Sequence, residues 1–294
     1  MDQADLSALA TLAAILEASA PKPGNVTPGR PFRDMRYEDF VASAIAAGPE
    51  LGAAGARPLG ETILAAVHAT RRWTAANTNL GIILLFAPIA AAQELGEVAG
   101  RPGLRRRLGQ VLRQTTVDDA IRVYAAIREA GPGGMGTSAE QDLSAAPTVT
   151  LVEAMRLAAE RDLVAREYTT DFALTFECGL PALRGARVSG LAWPDAIVET
   201  FLTLLAQEPD TLIARKLGRD VAESISFRAA QLLRTGGPRS PHGREAIAAF
   251  DAELRDAQNS RNPGTTADLT AAALFVSLIE DGWDTDRSRT ARAQ

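Results

Sequence analysis

The sequence predicts an all-α fold, a single globular multi-helix bundle with buried central helices. Three observations carry this reading. Period-two runs of β-branched residues are nearly absent. Apolar residues recur at three- and four-residue spacing through most of the chain. Segment 79–94 becomes apolar on every side after its polar mouth, as a helix surrounded by other helices must be, and the apolar remainder of 265–281 again enters the core.

In chain order the periodicity predicts helices over 5–19, 37–47, 59–73, 79–94, 103–114, 117–130, 149–160, 162–177, 190–207, 210–234, 243–257 and 265–281. Gly218 is a candidate break in 210–234. "APKPGNVTPGRPF" is excluded from helix, because its prolines remove backbone donors. "GPGGMGTSAEQD" reads as a glycine-rich connection or a lid. No polar linker divides the chain, so residues 1–285 are expected to form one domain and 286–294 a disordered tail.

Composition narrows the function. Among 294 residues the net charge is -5, which argues against a nucleic-acid surface. The run Arg105–Arg107 reads as a solvated helix face. Cys178 is the lone cysteine, so the chain has no internal disulfide and no cysteine zinc site, and the thiol reads as packing. His68 and His242 are the only histidines, too few for a histidine-rich metal site. The first residues lack a basic leader pattern, and the longest apolar run is too short for a bilayer. A cytoplasmic protein that does not engage membranes is expected.

Arginine outnumbers lysine 29 to two, and the two lysines are Lys22 and Lys216. Where arginine substitutes freely, a surviving lysine marks a place that needs a compact ammonium. In "SAPKPGNV" two prolines stiffen Lys22, while Gly24 permits close backbone approach and Asn25 follows; such a lysine suits a phosphate. In "RDMRYEDF", Asp34 and Glu38 lie four apart, the spacing of two acids on one helix face that hold Mg²⁺ or exchange protons. Glu61 opens the helix "GETILAAVHAT".

"ANTNLG" places Asn77, Thr78 and Asn79 at the mouth of an oily helix. Two amides and a hydroxyl exceed what one cap requires, and they can read a sugar, a base edge or a phosphate. "PDTLIARKLG" supplies a capping Asp210 followed by Arg215 and Lys216. "NPGTTADLTAAALF" supplies Gly264, Thr265 and Asp268 at the start of the second oily helix.

Taken in order, "SAPKPGNV", "RDMRYEDFVASA", "GETILAAVHAT" running into "NTNLG", "GLPAL", "DTLIARKLG" and "NPGTTADLTAA" resemble the triphosphoribosyl-dephospho-CoA synthase family, from Ser19 to about Ala272. The resemblance implies an all-helical enzyme that uses ATP and Mg²⁺ and displaces adenine. It joins the triphosphoribosyl group to the ribose 2′-hydroxyl of dephospho-CoA, making a prosthetic-group precursor. It also implies that Lys22, Asp34, Glu38, Glu61, Asn77, Asn79, Asp210, Arg215 and Asp268 line the site. Asn79–Leu80 stands where better-known members carry histidine and lysine, which marks a divergent branch whose acceptor is dephospho-CoA or a related cofactor precursor.

On this reading some of Asp34, Glu38, Asp210 and Asp268 hold Mg²⁺. Glu38 or Glu61 takes the acceptor's proton. Asn77 and Asn79 orient ribose or base. Lys22, Arg215 and Lys216 offset phosphate charge. The same constellation delivering water would be a nucleotide or ADP-ribosyl glycohydrolase, and without turnover a nucleotide-binding regulator. A homodimer is a further expectation from the family analogy.

Overall fold

The computed structural model describes residues 1–95, 103–131 and 140–283. The expected tail 286–294 and the centre of the glycine-rich connection, 132–139, lie outside the described residues. Among the described residues there are fourteen α-helices and no strand, only an isolated bridge between Thr27 and Arg30. No described helix is long and apolar enough to cross a membrane.

Helix α1 (Gln3–Ser19) starts at a capping box in which Asp2 and Asp5 exchange side-chain and backbone bonds. It packs along α2 (Tyr37–Gly52), and α2 packs on α3 (Leu59–Arg71). Two further helices, α5 (Leu104–Arg113) and α6 (Val117–Ala130), lie against α4 (Leu80–Glu94) and α3 respectively. The second half comprises α7 (Leu151–Ala158), α8 (Leu163–Thr169), α9 (Leu180–Val188), α10 (Trp193–Gln207), α11 (Thr211–Leu217), α12 (Arg219–Arg234), α13 (Pro241–Leu254) and α14 (Gly264–Asp281).

The centre is α4 packed against α14. Every residue of α4 from Ile82 to Ala92 is buried, as is every residue of α14 from Leu269 to Leu278. The rings of Phe86 and Phe275 stack across the pair with centroids 4.4 Å apart.

Pro88 sits in the middle of α4 and lacks the N–H that would normally bond the Leu84 carbonyl. The buried hydroxyl of Tyr168, on α8, donates to that carbonyl at 2.6 Å. A side chain from a neighbouring helix thus completes the backbone of the central one, and burial raises the Tyr168 hydroxyl pKa.

The expected helices at 162–177 and 210–234 each divide. In the first, Asp171 and Phe172 adopt left-handed backbone conformations that end α8. A π-helical turn, Leu174–Gly179, then restarts the chain and runs directly into α9. The buried Glu167 carboxylate organises this restart: it accepts from Leu174 N and Thr175 N, each at 2.9 Å, and from Thr175 Oγ1 at 2.5 Å. Sequence periodicity did not expose the break, because a side chain eight residues away supplies the cap. At 210–234 the break falls at Gly218, φ +93°, a region that only glycine enters without strain.

Tyr168→Phe should leave the Leu84 carbonyl buried and unpaired, costing about 1–3 kcal/mol in denaturant unfolding. Combining it with Pro88→Ala, which restores the missing N–H, should recover part of that loss. Two strictly additive effects would contradict this account.

Candidate active site

The first turns of α4 and α14 meet. A side chain on Gly81, at the second position of α4, would overlap the Asp268 carboxylate of α14. Glycine at 81 is what allows two buried helices to bring an acid between their N-terminal ends. In front of this junction lies a cavity of about 470 Å³. Its polar lining comes from the end of α1 and the loop after it, the residues before α4, the start of α8, helix α11 and the start of α14.

Most of the site residues expected from the sequence reach this cavity. Lys22, Asn25 and Asp34 line it from the first loop, and Asn77 and Thr78 from the approach to α4. Arg215 and Lys216 line it from α11, and Gly264, Thr265 and Asp268 from α14. Five do not: Gly24, Glu38, Glu61, Asn79 and Asp210 are outside the lining.

Each of the five has a structural reason. The backbone N–H of Gly24 donates to Asp251 at 2.8 Å, tying its loop to α13. Helix α2 begins at Tyr37, so Asp34 precedes the helix and shares no face with the exposed Glu38. Glu61 lies at the start of α3, where the neighbouring Gly60 N–H donates to Asp119 of α6 at 2.7 Å, and α3 packs on α2 and α6. Asn79 is the buried N-cap of α4, yet Asn77 Oδ1 accepts from Leu80 N, at 3.4 Å, and Asn79 Oδ1 has no partner.

Asp210 is fully buried and its oxygens are already engaged. One accepts from Leu212 N and Ile213 N at 2.9 and 3.1 Å. The other accepts from Thr266 N and Oγ1, both at 2.8 Å. Asp210 therefore caps α11 and clamps it to the start of α14. This corrects its expected role as a metal ligand. Asp34, Glu38, Asp210 and Asp268, some of which were expected to hold Mg²⁺, do not gather into one cluster: among the described residues no three His, Cys, Asp or Glu side chains converge to hold a metal.

Lys22 also differs from expectation. It is 1% exposed, and its ammonium donates to the backbone carbonyls of Glu17 and Ala20 and pairs with the Glu17 carboxylate at 2.9 Å. With three donors engaged, it contributes positive charge beside the cavity and retains no free N–H. Glu17 is an equally buried cavity residue that sequence reading missed; its signal is an acid interrupting "TLAAILEAS" five residues before Lys22. Burial raises its pKa, and the attraction of Lys22 opposes that rise.

Asp162 was missed too. It caps α8 by accepting from Val164 N at 2.8 Å, and its other oxygen holds Nη1 of Arg215. Arg215 is thereby oriented, while its buried Nε–H has no acceptor; Asn262 Oδ1, also in the lining, is buried and unpaired as well. Lys216 donates to the Asn259 carbonyl at 3.2 Å, and Asn259 in turn donates to Asp34 at 3.4 Å. Thr265 accepts from Thr211 at 3.2 Å, and Thr78 pairs with Ser43 at 2.6 Å.

Asp268 stands apart. Among the described residues it makes no hydrogen bond or ion pair, though it lines the cavity. Burial raises its pKa well above the usual carboxylate range, and the charges of Glu17, Asp210 and Asp162 raise it further against the opposing Arg215.

A family model described as ATP:dephospho-CoA triphosphoribosyl transferase matches residues 3–287. The chain belongs to this family. Within it, a 2-(5''-triphosphoribosyl)-3'-dephosphocoenzyme-A synthase of Klebsiella pneumoniae is 31% identical over 100 residues, 34% of this chain and 35% of the relative. A probable synthase of the same name from Pseudomonas syringae pv. tomato is 30% identical over 109 residues, 37% of each chain. The matched stretches thus span little more than a third of these relatives. The crystal structure of a candidate triphosphoribosyl-dephospho-CoA synthase from Archaeoglobus fulgidus superposes with a TM-score of 0.62 at 29% identity, covering 83% of this chain and all of the other.

Two outcomes follow for this member of the transferase family. Lys22→Met should cost about 3–5 kcal/mol in unfolding experiments, because Glu17 would be left buried without a counter-charge. Asp268→Asn should stabilise the ligand-free protein at neutral pH, raising Tm by roughly 2 °C or more. Because its folded pKa is raised, Asp268 binds more protons folded than unfolded, and wild-type stability falls as pH climbs from the ordinary carboxylate range toward the raised value. The variant's advantage should therefore vanish in acid, where both states are protonated.

Proposed function

We propose that this chain is a transferase that moves the triphosphoribosyl group of ATP onto a ribose hydroxyl of dephospho-CoA or a closely related cofactor precursor, with Mg²⁺ and with release of adenine. The observation that carries the reading is the unpaired Asp268 carboxylate, in a cavity that also holds Arg215 and Lys216, within a chain of this family.

The polar residues divide the work by chemistry. Arg215, oriented by Asp162, and Lys216 supply positive charge for a polyphosphate. The N-terminal ends of α4 and α14 add the positive ends of two helix dipoles. Thr78, Thr265 and the amides of Asn77 and Asn262 supply the hydrogen-bonding groups a ribose needs.

The site fits Mg²⁺ on its own terms. Asp268 is an unpaired oxygen ligand that feels the charges of Glu17, Asp210 and Asp162, and Mg²⁺ typically uses one or two carboxylates together with substrate phosphates. Bound there, Mg²⁺ supplies charge neutralisation to the phosphates. Loss of a base from a sugar builds positive charge at the anomeric carbon. The acids Glu17, Asp162 and Asp268 bias the cavity toward stabilising that charge.

Incubating the protein with ATP, Mg²⁺ and dephospho-CoA should yield free adenine and a conjugate, both identified by mass spectrometry. Asp268→Asn should lower kcat/KM by about 10² or more, the scale expected when one electrostatic stabiliser is lost. Release of ADP in place of adenine, or full activity of Asp268→Asn, would refute the assignment.

A further inference from the structure

The cavity has a second half that phosphate and ribose chemistry does not use. Leu84 of α4, Val123 and Ile127 of α6, Leu151 and Met155 of α7, and Val164 of α8 line it, and all six are more than nine-tenths buried. Several polar groups at its border are engaged with one another, while Arg161, beside Tyr124 at the rim, makes no side-chain hydrogen bond or ion pair among the described residues. The Tyr124 hydroxyl donates to the Gln141 carbonyl at 2.7 Å. The Gln141 amide exchanges two bonds with Thr148, at 3.0 and 2.9 Å. Asp142 accepts from Ser144 N and Oγ at 2.9 and 2.6 Å.

One cavity therefore joins a charged part, built on α1, α11 and α14, to an apolar arm between α6, α7 and α8. A nucleoside triphosphate has the same division, phosphates at one end and a flat ring at the other. A pantetheine chain fits the arm worse, since it would carry two amides among six buried apolar side chains. A purine buries its two faces and can turn its polar edge toward the mouth. The thioether of Met155 is a favourable contact for such a ring.

We infer that the α6–α7–α8 arm is the slot for the base of the nucleotide donor, and that it grips the base by apolar contact and shape rather than by hydrogen bonds to its edge. The inference takes the identity of the donor from the transferase reading. Its consequence is relaxed base selectivity. Sites that read a substrate through buried hydrogen bonds reject the wrong partner by about 10⁴–10⁵, whereas apolar pockets discriminate by only about 10–10².

The test is equilibrium binding of ATP, GTP and ITP to the full chain by calorimetry, alongside binding of dephospho-CoA. The three nucleotides should bind within about 10² of one another. Met155→Asp, checked for folding by circular dichroism, should weaken ATP binding by at least about 10-fold and leave dephospho-CoA binding unchanged. Ala158→Leu, which adds volume at a half-buried position of the lining, carries the same expectation and keeps the test open should Met155→Asp fail to fold.

Rejection of GTP and ITP by about 10³ or more would overturn the inference. So would folded arm variants that weaken acceptor binding and spare ATP, or that spare both. Binding needs no turnover, so the two readings fail separately. If the arm variants lose ATP and the wild type releases no adenine, the transferase reading alone falls. If transfer is normal and the arm variants bind ATP like wild type, this inference alone falls.

Discussion

Two buried helices must end with their N-termini side by side, and the rest of the structure follows from that. Helices α4 and α14 supply the stacked phenylalanines of the core, and at their shared end only a glycine at position 81 leaves room for the Asp268 carboxylate. Asp210 fixes the junction by giving one oxygen to the start of α11 and the other to Thr266 of α14. A carboxylate with four hydrogen bonds tolerates burial that an unpaired one resists. Asp210 and Asp268 thus show one residue type in two states: the first is satisfied and holds the scaffold, the second is unsatisfied and faces the cavity.

This arrangement sets stability against use. The charges of Glu17, Asp210 and Asp162 disfavour that of Asp268, and Arg215, which opposes them, is already engaged by Asp162. A site that holds an under-compensated negative charge is destabilising until a cation or a substrate arrives. The buried Lys22–Glu17 pair works the other way. Its ammonium is saturated by partners on α1, so it anchors the proline-rich loop and lends charge without offering a hydrogen bond.

The fold was largely legible because it rests on periodicity and punctuation. The two helices with long apolar runs proved to be the central pair, and Gly218 proved to be a helix break. The break at Asp171–Phe172 was hidden, since its cause is the Glu167 carboxylate folding back from α8. The site was legible in part. Cues such as a lone lysine between prolines or amides before an oily helix led to the cavity lining. Spacing misled where it counted a residue ahead of the helix as part of its face, as with Asp34 and Glu38, and where a good cap resembled a ligand, as with Asp210.

The sequence by itself determined the helical class, the two core helices, the loops that carry Lys22 and Asn77, and the family to which these motifs belong, because hydrophobic spacing and proline or glycine breaks act locally. Only the tertiary structure decided which polar groups are already satisfied. Asp210 is held by Thr266, 56 residues away. Arg215 is held by Asp162, 53 residues away, and Asp268 is left unpaired beside Gly81 of another helix. Hydrogen-bond saturation depends on atoms brought together from distant parts of the chain, and no local pattern encodes it.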